Sequence, residues 1–322
     1  MYKFKKIGVI AASVTSIMLL LSGCSTASEN TAKSGSESTV AVTSEESKAG
    51  ESDSDKEGTR TISTSLGDVE VPANPKRVIA TYGMGDIIAL GVTPVACYDA
   101  KGTAYEKEVA EVPVWSKFEA EEIMSYEPDL ILVVNQEQYD EVSKIAPTIM
   151  IPFTELSMEE RVTFLGEILN KEEEAKKALS EFKEKIAKAK ETLEAKGIGS
   201  QTFSIFDYSS NGGIWVYGDK WGRGGDIIYS QLGLKAPDII QKEIIGKDQY
   251  REVSMEAVNE YAGDYIVFSG ETGDLSDNPV WNSIPAVKAG KVISIDHTLF
   301  YDIDLFSSNV QLEYLMKELL NK

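Results

Sequence analysis

One stretch constrains the rest of the chain more than any other. Residues 171–196 read KEEEAKKALSEFKEKIAKAKETLEAK. Ala175, Leu179, Phe182, Ile186, Ala189 and Leu193 recur every three or four residues, so a narrow apolar stripe runs along a charged helix. Glu172, Glu173 and Glu174 crowd its first turn, while Lys188, Lys190 and Lys196 lie toward its end, complementing the helix dipole. Gly197 and Gly199 stop it. At 1.5 Å per residue such a helix is roughly 39 Å long, about the span of a domain. Short apolar strands alternate with helices on both sides of it. The pattern predicts two α/β lobes bridged by this helix. A surface helix or a coiled-coil segment is the alternative, with only about three heptads available to it.

The chain has 322 residues, enough for two cores, and a formal charge of −20. With no basic stripe to offset that charge, nucleic acid is excluded as a partner. The N-terminus carries Lys3, Lys5 and Lys6, then an apolar run from Ile7 to Leu21 too short and too interrupted for a membrane span. It ends in Leu21-Ser22-Gly23-Cys24, which resembles the lipobox of bacterial lipoproteins. The resemblance implies a signal peptide over residues 1–23, cleavage before Cys24 and acylation of its thiol, for example by palmitate. The mature charge would then be −23. Cys97 is left without a partner for an intramolecular disulfide and reads as a buried structural thiol. Residues 24–58 are poor in large apolar side chains and predict a disordered tether.

A hairpin of Thr61–Thr64 and Asp68–Val71 opens the folded part. Strands are predicted at Val78–Thr81, Val95–Tyr98, Leu130–Val134 and Thr148–Ile151, with helices at Asp86–Leu90, Ala120–Tyr126 and Glu137–Lys144. These make an N-terminal lobe over residues 59–156. Helix Met158–Leu169 and the long helix, separated by a left-handed Asn170, form a connection over 157–199. The second lobe, 200–322, has predicted strands at Phe203–Phe206, Ile214–Tyr217, Tyr265–Phe268 and Val292–Ile295. Its predicted helices are Gly225–Leu232, Met255–Tyr261 and Leu305–Leu320. The fold class is therefore α/β, two Rossmann-like lobes joined by one long helix with a ligand cleft between them.

No GxSxG, Walker A loop or CxxC is present, and Gly83-Met84-Gly85 lacks the third glycine of a dinucleotide fingerprint. His297 is the only histidine, so a His-rich metal site cannot be assembled, and a lone His near a strand end reads as structural or solvated. An enzyme on this fold would have no nameable nucleophile, base or cofactor loop.

The segments NPKRVIATYGMGDIIALGVTPVACY, AEEIMSYEPDLIL, IAPTI, SMEAVNEYAGDYIVF and NPVWNSIPAVKAGKVISID, in this order around the long helix, resemble solute-binding lipoproteins of iron-siderophore ABC importers. That family includes cobalamin and haem receptors, which stay as alternatives. The stretch YGDKWGRGGD, Tyr217–Asp226, is similar to the ligand-contacting segment of Gram-positive ferric hydroxamate binders. The resemblance implies that Trp221 and Arg223 contact the iron complex. A guanidinium fork suits partly anionic hydroxamate oxygens, and aromatic rings suit the aliphatic arms. Tyr82, Trp115, Tyr208, Trp215 and Tyr301 are further candidates for the cleft, Tyr82 and Tyr208 because they follow strand ends. Trp281 reads as packing.

Glu121 and Glu256 match one family glutamate on each lobe, which implies docking into permease arginines; Glu122 competes for the first role. Dipole complementation at helix N-termini is the plainer alternative for both. The expected protein is a monomeric, non-enzymatic receptor, lipid-anchored on the extracytoplasmic face of a Gram-positive membrane. Its partners would be a ferric siderophore, hydroxamate in type, and an ABC permease with its ATPase. Fe(III) would travel inside the chelate, with no cofactor or metal held by the protein itself.

Overall fold

The computed structural model describes residues 58–209, 211–220 and 222–322. Cys24, the predicted signal peptide and the tether up to Glu57 lie outside these residues, as does Trp221. The chain opens with the predicted hairpin, β1 (Thr59–Thr64) antiparallel to β2 (Gly67–Pro72). A first sheet follows, β3 (Val78–Ala80), β4 (Leu130–Val133) and β5 (Thr148–Met150), all parallel and adjacent in that order. β3 and β4 are buried along their whole length, which is why they read as uninterrupted apolar runs. Helices α1 (Met84–Ala89), α2 (Ala120–Ser125) and α3 (Gln136–Val142) complete this lobe.

Residues 95–98 are not a strand. Val95 N–H donates to Val78 O, while Cys97 exchanges hydrogen bonds with Pro113 O and Trp115 N–H, so the segment bridges two neighbours instead of running along either.

α4 (Met158–Leu169) starts on a capping box in which Ser157 and Glu160 satisfy each other's backbone N–H groups. Asn170 then turns left-handed, at φ 56° and ψ 48°, and releases the chain into α5 (Glu172–Ala195). The six residues of the predicted stripe are the six that α5 buries, against α4 and the C-terminal helix. Each of its four larger side chains contributes roughly 1.5–3 kcal/mol when removed from water. No lysine falls in the last turn; Lys196 is the C-cap.

The second sheet comprises β6 (Phe203–Tyr208), β7 (Ile214–Tyr217), β8 (Tyr250–Val253), β9 (Tyr265–Ser269) and β10 (Val292–Ile295), in the order β10-β9-β6-β7-β8. β6, β9 and β10 are parallel; β7 and β8 extend the sheet antiparallel. β8 escapes sequence reading because YREV is an edge strand with one buried side chain and no apolar alternation. Around the sheet lie α6 (Asp238–Glu243), α7 (Val258–Tyr261), α8 (Pro285–Lys288) and α9 (Leu305–Asn321). The helix expected at 225–232 is a π-helix, Asp226–Gln231. One apolar cluster runs from Ile62 in the hairpin through α5 to Leu319 in α9, and Trp281 is buried in it against Phe206 and Phe268.

Candidate functional site

The C-terminal ends of the parallel strands in both sheets supply the site, as expected for α/β architectures. β3 ends into Thr81 and Tyr82. β6 carries Asp207 one residue before its end, beside Ser269 of β9 in the sheet register, and β10 runs on to His297. A cavity of about 390 Å³ lies among them, lined by Tyr82, Tyr98 and Asp99 from one lobe and by His297, Tyr301 and Asp302 from the other. Tyr82 also borders a second, more apolar cavity of about 480 Å³ with Val134, Met150, Ile151, Phe153 and Ile303. Its ring stands edge-on to Phe153 at 4.5 Å.

Arg223 sits beside His297, which lines the first cavity. Residues 222–224 fold onto residues 300–301: Arg223 N–H donates to Phe300 O at 2.7 Å, and Arg223 itself is left-handed at φ 59°. Gly222 is required there. Its φ is 88°, and a Cβ would fall 2.8 Å from Tyr301 O. The guanidinium is held from several sides. Its Nε donates to Asp207 Oδ2 at 3.2 Å and one terminal nitrogen meets His297 Nε2 at 2.8 Å. It also lies over the rings of Tyr217, at 5.4 Å, and Tyr301, at 5.8 Å. Burial pushes the Tyr217 phenol up, against the pull of the Arg223 charge.

Arg223, Tyr301 and Tyr82 thus gather at one cleft. Trp115 stands behind Tyr98, its ring 6.2 Å away and edge-on, in the small core of the first lobe. Tyr208 packs edge-on against Phe268. Trp215 pairs with Asp207 in the register and stacks on Tyr250, which in turn touches Tyr217. Those rings and Asp207 stand between it and Arg223. Tyr98, Asp207, Tyr217 and Asp302 are not singled out by sequence reasoning, and His297 reads there as structural or solvated. The strand-end rule that selected Tyr82 selects Asp207 and His297 equally well.

Below the cavity lies a buried polar seam. Asp86 of α1 accepts from Arg161 Nε of α4 at 2.6 Å and from Leu305 N–H of α9 at 2.8 Å. Asp304 caps α9 through Ser307 N–H at 2.7 Å, and Arg161 donates onward to Ile303 O at 3.0 Å. Asp302 accepts from Tyr105 Oη at 2.8 Å, and Tyr105 bonds to Tyr98 in the cavity wall. The approach of α9 to α1 is so close that a Cβ on Gly85 would lie 1.9 Å from Asp304 Oδ1. Burial, reinforced by Asp86, pushes the Asp304 carboxyl up to about 8 and raises Asp302 as well. Burial and the Asp302 charge raise the Tyr82 phenol too.

On the surface, Glu121 is exposed. Glu122 is engaged: its carboxylate accepts from the N–H groups of Ser116 and Lys117 at 2.8 and 2.9 Å, which holds it below the usual carboxylate range. Glu256 is exposed in the turn before α7, with its carboxyl lowered by Ser254. Among the described residues no group of three or more His, Cys, Asp or Glu side chains could hold a metal ion, and no helix is long and apolar enough to cross a membrane.

Comparison with known proteins agrees with this architecture. The iron(3+)-hydroxamate-binding protein YxeB of Bacillus subtilis is 30% identical, over 99% of this chain and 98% of its own. A crystal structure from B. subtilis, described as a FhuD-fold periplasmic binding component of a Fep/Fec-like ferrichrome ABC transporter, superposes with a TM-score of 0.73. It is 30% identical and covers 80% of this chain and 99% of its own. FhuD2 of Staphylococcus aureus with bound ferrioxamine B gives a TM-score of 0.69 at 26% identity, over 77% and 99%. The model of the periplasmic binding protein family matches residues 79–299, and the chain belongs to that family, as a binding protein and not an enzyme.

Proposed function

We propose that the cleft between the lobes captures a ferric siderophore of the hydroxamate type and presents it to an ABC permease. The observation that carries the reading is the charge of the cavity. Arg223, joined to the lining residues His297 and Tyr301, is one cation beside the cavity, partly neutralised by Asp207, and the lining itself carries Asp99 and Asp302. A triply anionic catecholate chelate would meet repulsion there. A neutral or singly cationic hydroxamate chelate finds one guanidinium for its oxygens and phenol rings for its arms. The hydroxamate-binding YxeB and the ferrioxamine-bound FhuD2 support the same reading. In this reading Trp221 contacts the iron complex together with Arg223, and Trp115, Tyr208 and Trp215 supply the aromatic surroundings. Fe(III) is cargo within the chelate.

The test is a titration of intrinsic Trp fluorescence with ferrioxamine B, ferric enterobactin and cobalamin in parallel. Saturable quenching by submicromolar ferrioxamine B is expected. Saturation by only the catecholate or only cobalamin would reject the hydroxamate reading.

The same reading anchors the mature chain through an acylated Cys24 to the extracytoplasmic face of a Gram-positive membrane, with residues 24–58 as tether. It uses the lobes at 59–156 and 200–322 as rigid ends of a monomer. Glu121 and Glu256 then dock into permease arginines, where two separated charges set orientation. Replacing both, Glu121→Ala with Glu256→Ala, should leave ferrioxamine B affinity intact and sharply reduce radio-iron uptake in cells lacking the native receptor. Normal uptake at equal protein level would remove the docking role.

A further inference from the structure

Arg223 is held by a side chain that can switch its hydrogen-bonding role. A guanidinium only donates, so the 2.8 Å contact with His297 requires Nε2 to be the bare, accepting nitrogen of a neutral ring. The ring proton then sits on Nδ1, which faces Ser269 Oγ at 3.4 Å and Asp207 Oδ2 at 3.6 Å. Asp207 therefore serves both groups, through the same oxygen. The imidazole is the outermost member of the cluster, 53% exposed, and it borders the cleft cavity. Among all common side chains, histidine is the one that gains or loses charge between about pH 5 and 8.

We propose that His297 is a positioning residue for Arg223, pinning the guanidinium in its place beside the cleft while the ring is neutral and releasing it when the ring takes a proton. This rests on the reading of the cleft as a siderophore site. Protonation removes the lone pair that accepts from Arg223 and leaves two cations competing for one Asp207 carboxylate. The other titratable groups around the ring do not replace the lost acceptor. Tyr301, on the same segment, faces Arg223 with its ring. Asp296 is occupied with the N–H groups of Thr298 and Leu299. Across the cavity stand Tyr82, Tyr98 and Asp99, and Asp302 accepts from Tyr105. Cargo affinity is thereby linked to acidity at the membrane surface, through a residue that contributes geometry to its neighbour.

Two measurements test this. Ferrioxamine B is a suitable probe because its pendant amine stays protonated from pH 5.5 to 7.5. Wild-type affinity should fall by about tenfold as pH drops from 7.5 to 5.5, the loss of roughly one charge-assisted hydrogen bond. His297→Ala should bind weakly at both ends. His297→Gln, whose amide oxygen can accept from Arg223 but cannot titrate, should recover part of the affinity and show no step. The same pH profile in wild type and His297→Gln would overturn the proposal. The second measurement needs no cargo. Because the chain has one histidine, ¹⁵N NMR of the imidazole reads this site alone. The ligand-free protein should carry its ring proton on Nδ1 at pH 7.5, and Arg223→Ala should shift it toward Nε2. An Nε2-protonated ring in the wild type would overturn the proposal whatever the cargo. Failure of ferrioxamine B to bind at any pH would instead reject the siderophore reading, leaving the ring tautomer to decide the role of His297.

Discussion

Two arginine–aspartate pairs of similar geometry lie near each other and do opposite jobs. Arg161 and Asp86 are 2% and 0% exposed and join three helices from both lobes around Asp302 and Asp304. Arg223 and Asp207 are 12% and 17% exposed, on strand ends and a glycine loop, with a half-exposed histidine beside them. The first pair is shut away from water, so each charge depends on its partner and the few polar groups folded around it. The second keeps some exposure beside the cavity, so its guanidinium can exchange one partner for another. Small differences in burial separate a group that fixes the fold from one that meets a ligand.

The comparison breaks most readily at the seam. Arg161→Met should destabilise the protein by about 3–5 kcal/mol, because it strands the Asp86 carboxylate among two further acids. Urea unfolding followed by circular dichroism measures it. A loss below about 1 kcal/mol would mean that water reaches the seam.

At the cleft, Arg223→Ala should cost about 1.5–3 kcal/mol of ferrioxamine B binding, or roughly ten- to a hundredfold in affinity. Its midpoint in urea should move little, by less than about 1 kcal/mol of stability, since Asp207 can turn to solvent. A collapse of stability comparable to Arg161→Met would erase the distinction between the pairs.

The smallest effect is one of pH. The Asp304 carboxyl holds its proton to about pH 8, against about 3.9 in an unfolded chain. The folded state binds more protons across that window. Its contribution to stability is therefore fully present below about pH 4 and declines as pH rises toward 8. Asp304→Asn keeps an oxygen to cap Ser307 but cannot ionise. Melting curves between pH 5 and 8 should decline more steeply for wild type than for this variant. Parallel curves would show that the seam does not titrate with folding.

The scaffold was more legible in the sequence than the site. The α5 stripe, the hairpin and the Leu130–Val133 run announce themselves because burial dictates which residues may stand at each period. Residues 95–98 misled because an apolar run carries no record of which backbone groups will pair with it. The seam was invisible for a related reason. Asp86, Arg161 and Asp304 are separated by 75 and 143 positions, and nothing local to an aspartate tells whether an arginine will fold onto it. At the cleft, a segment resemblance drew attention to Arg223, whereas Asp207 and His297 follow from where parallel strands end.

The apolar cluster that passes unbroken from the hairpin through α5 to α9 has a consequence for how the molecule comes apart. Two lobes with independent cores would melt in two steps, the weaker first. Here the strut itself is shared interior: stripping either lobe exposes the stripe of α5 that the other still needs. α5 has neither glycine nor proline along its 24 residues to serve as a breaking point. Heat should therefore meet one cooperative unit, and a calorimeter should record a single absorption peak whose width corresponds to the whole folded chain.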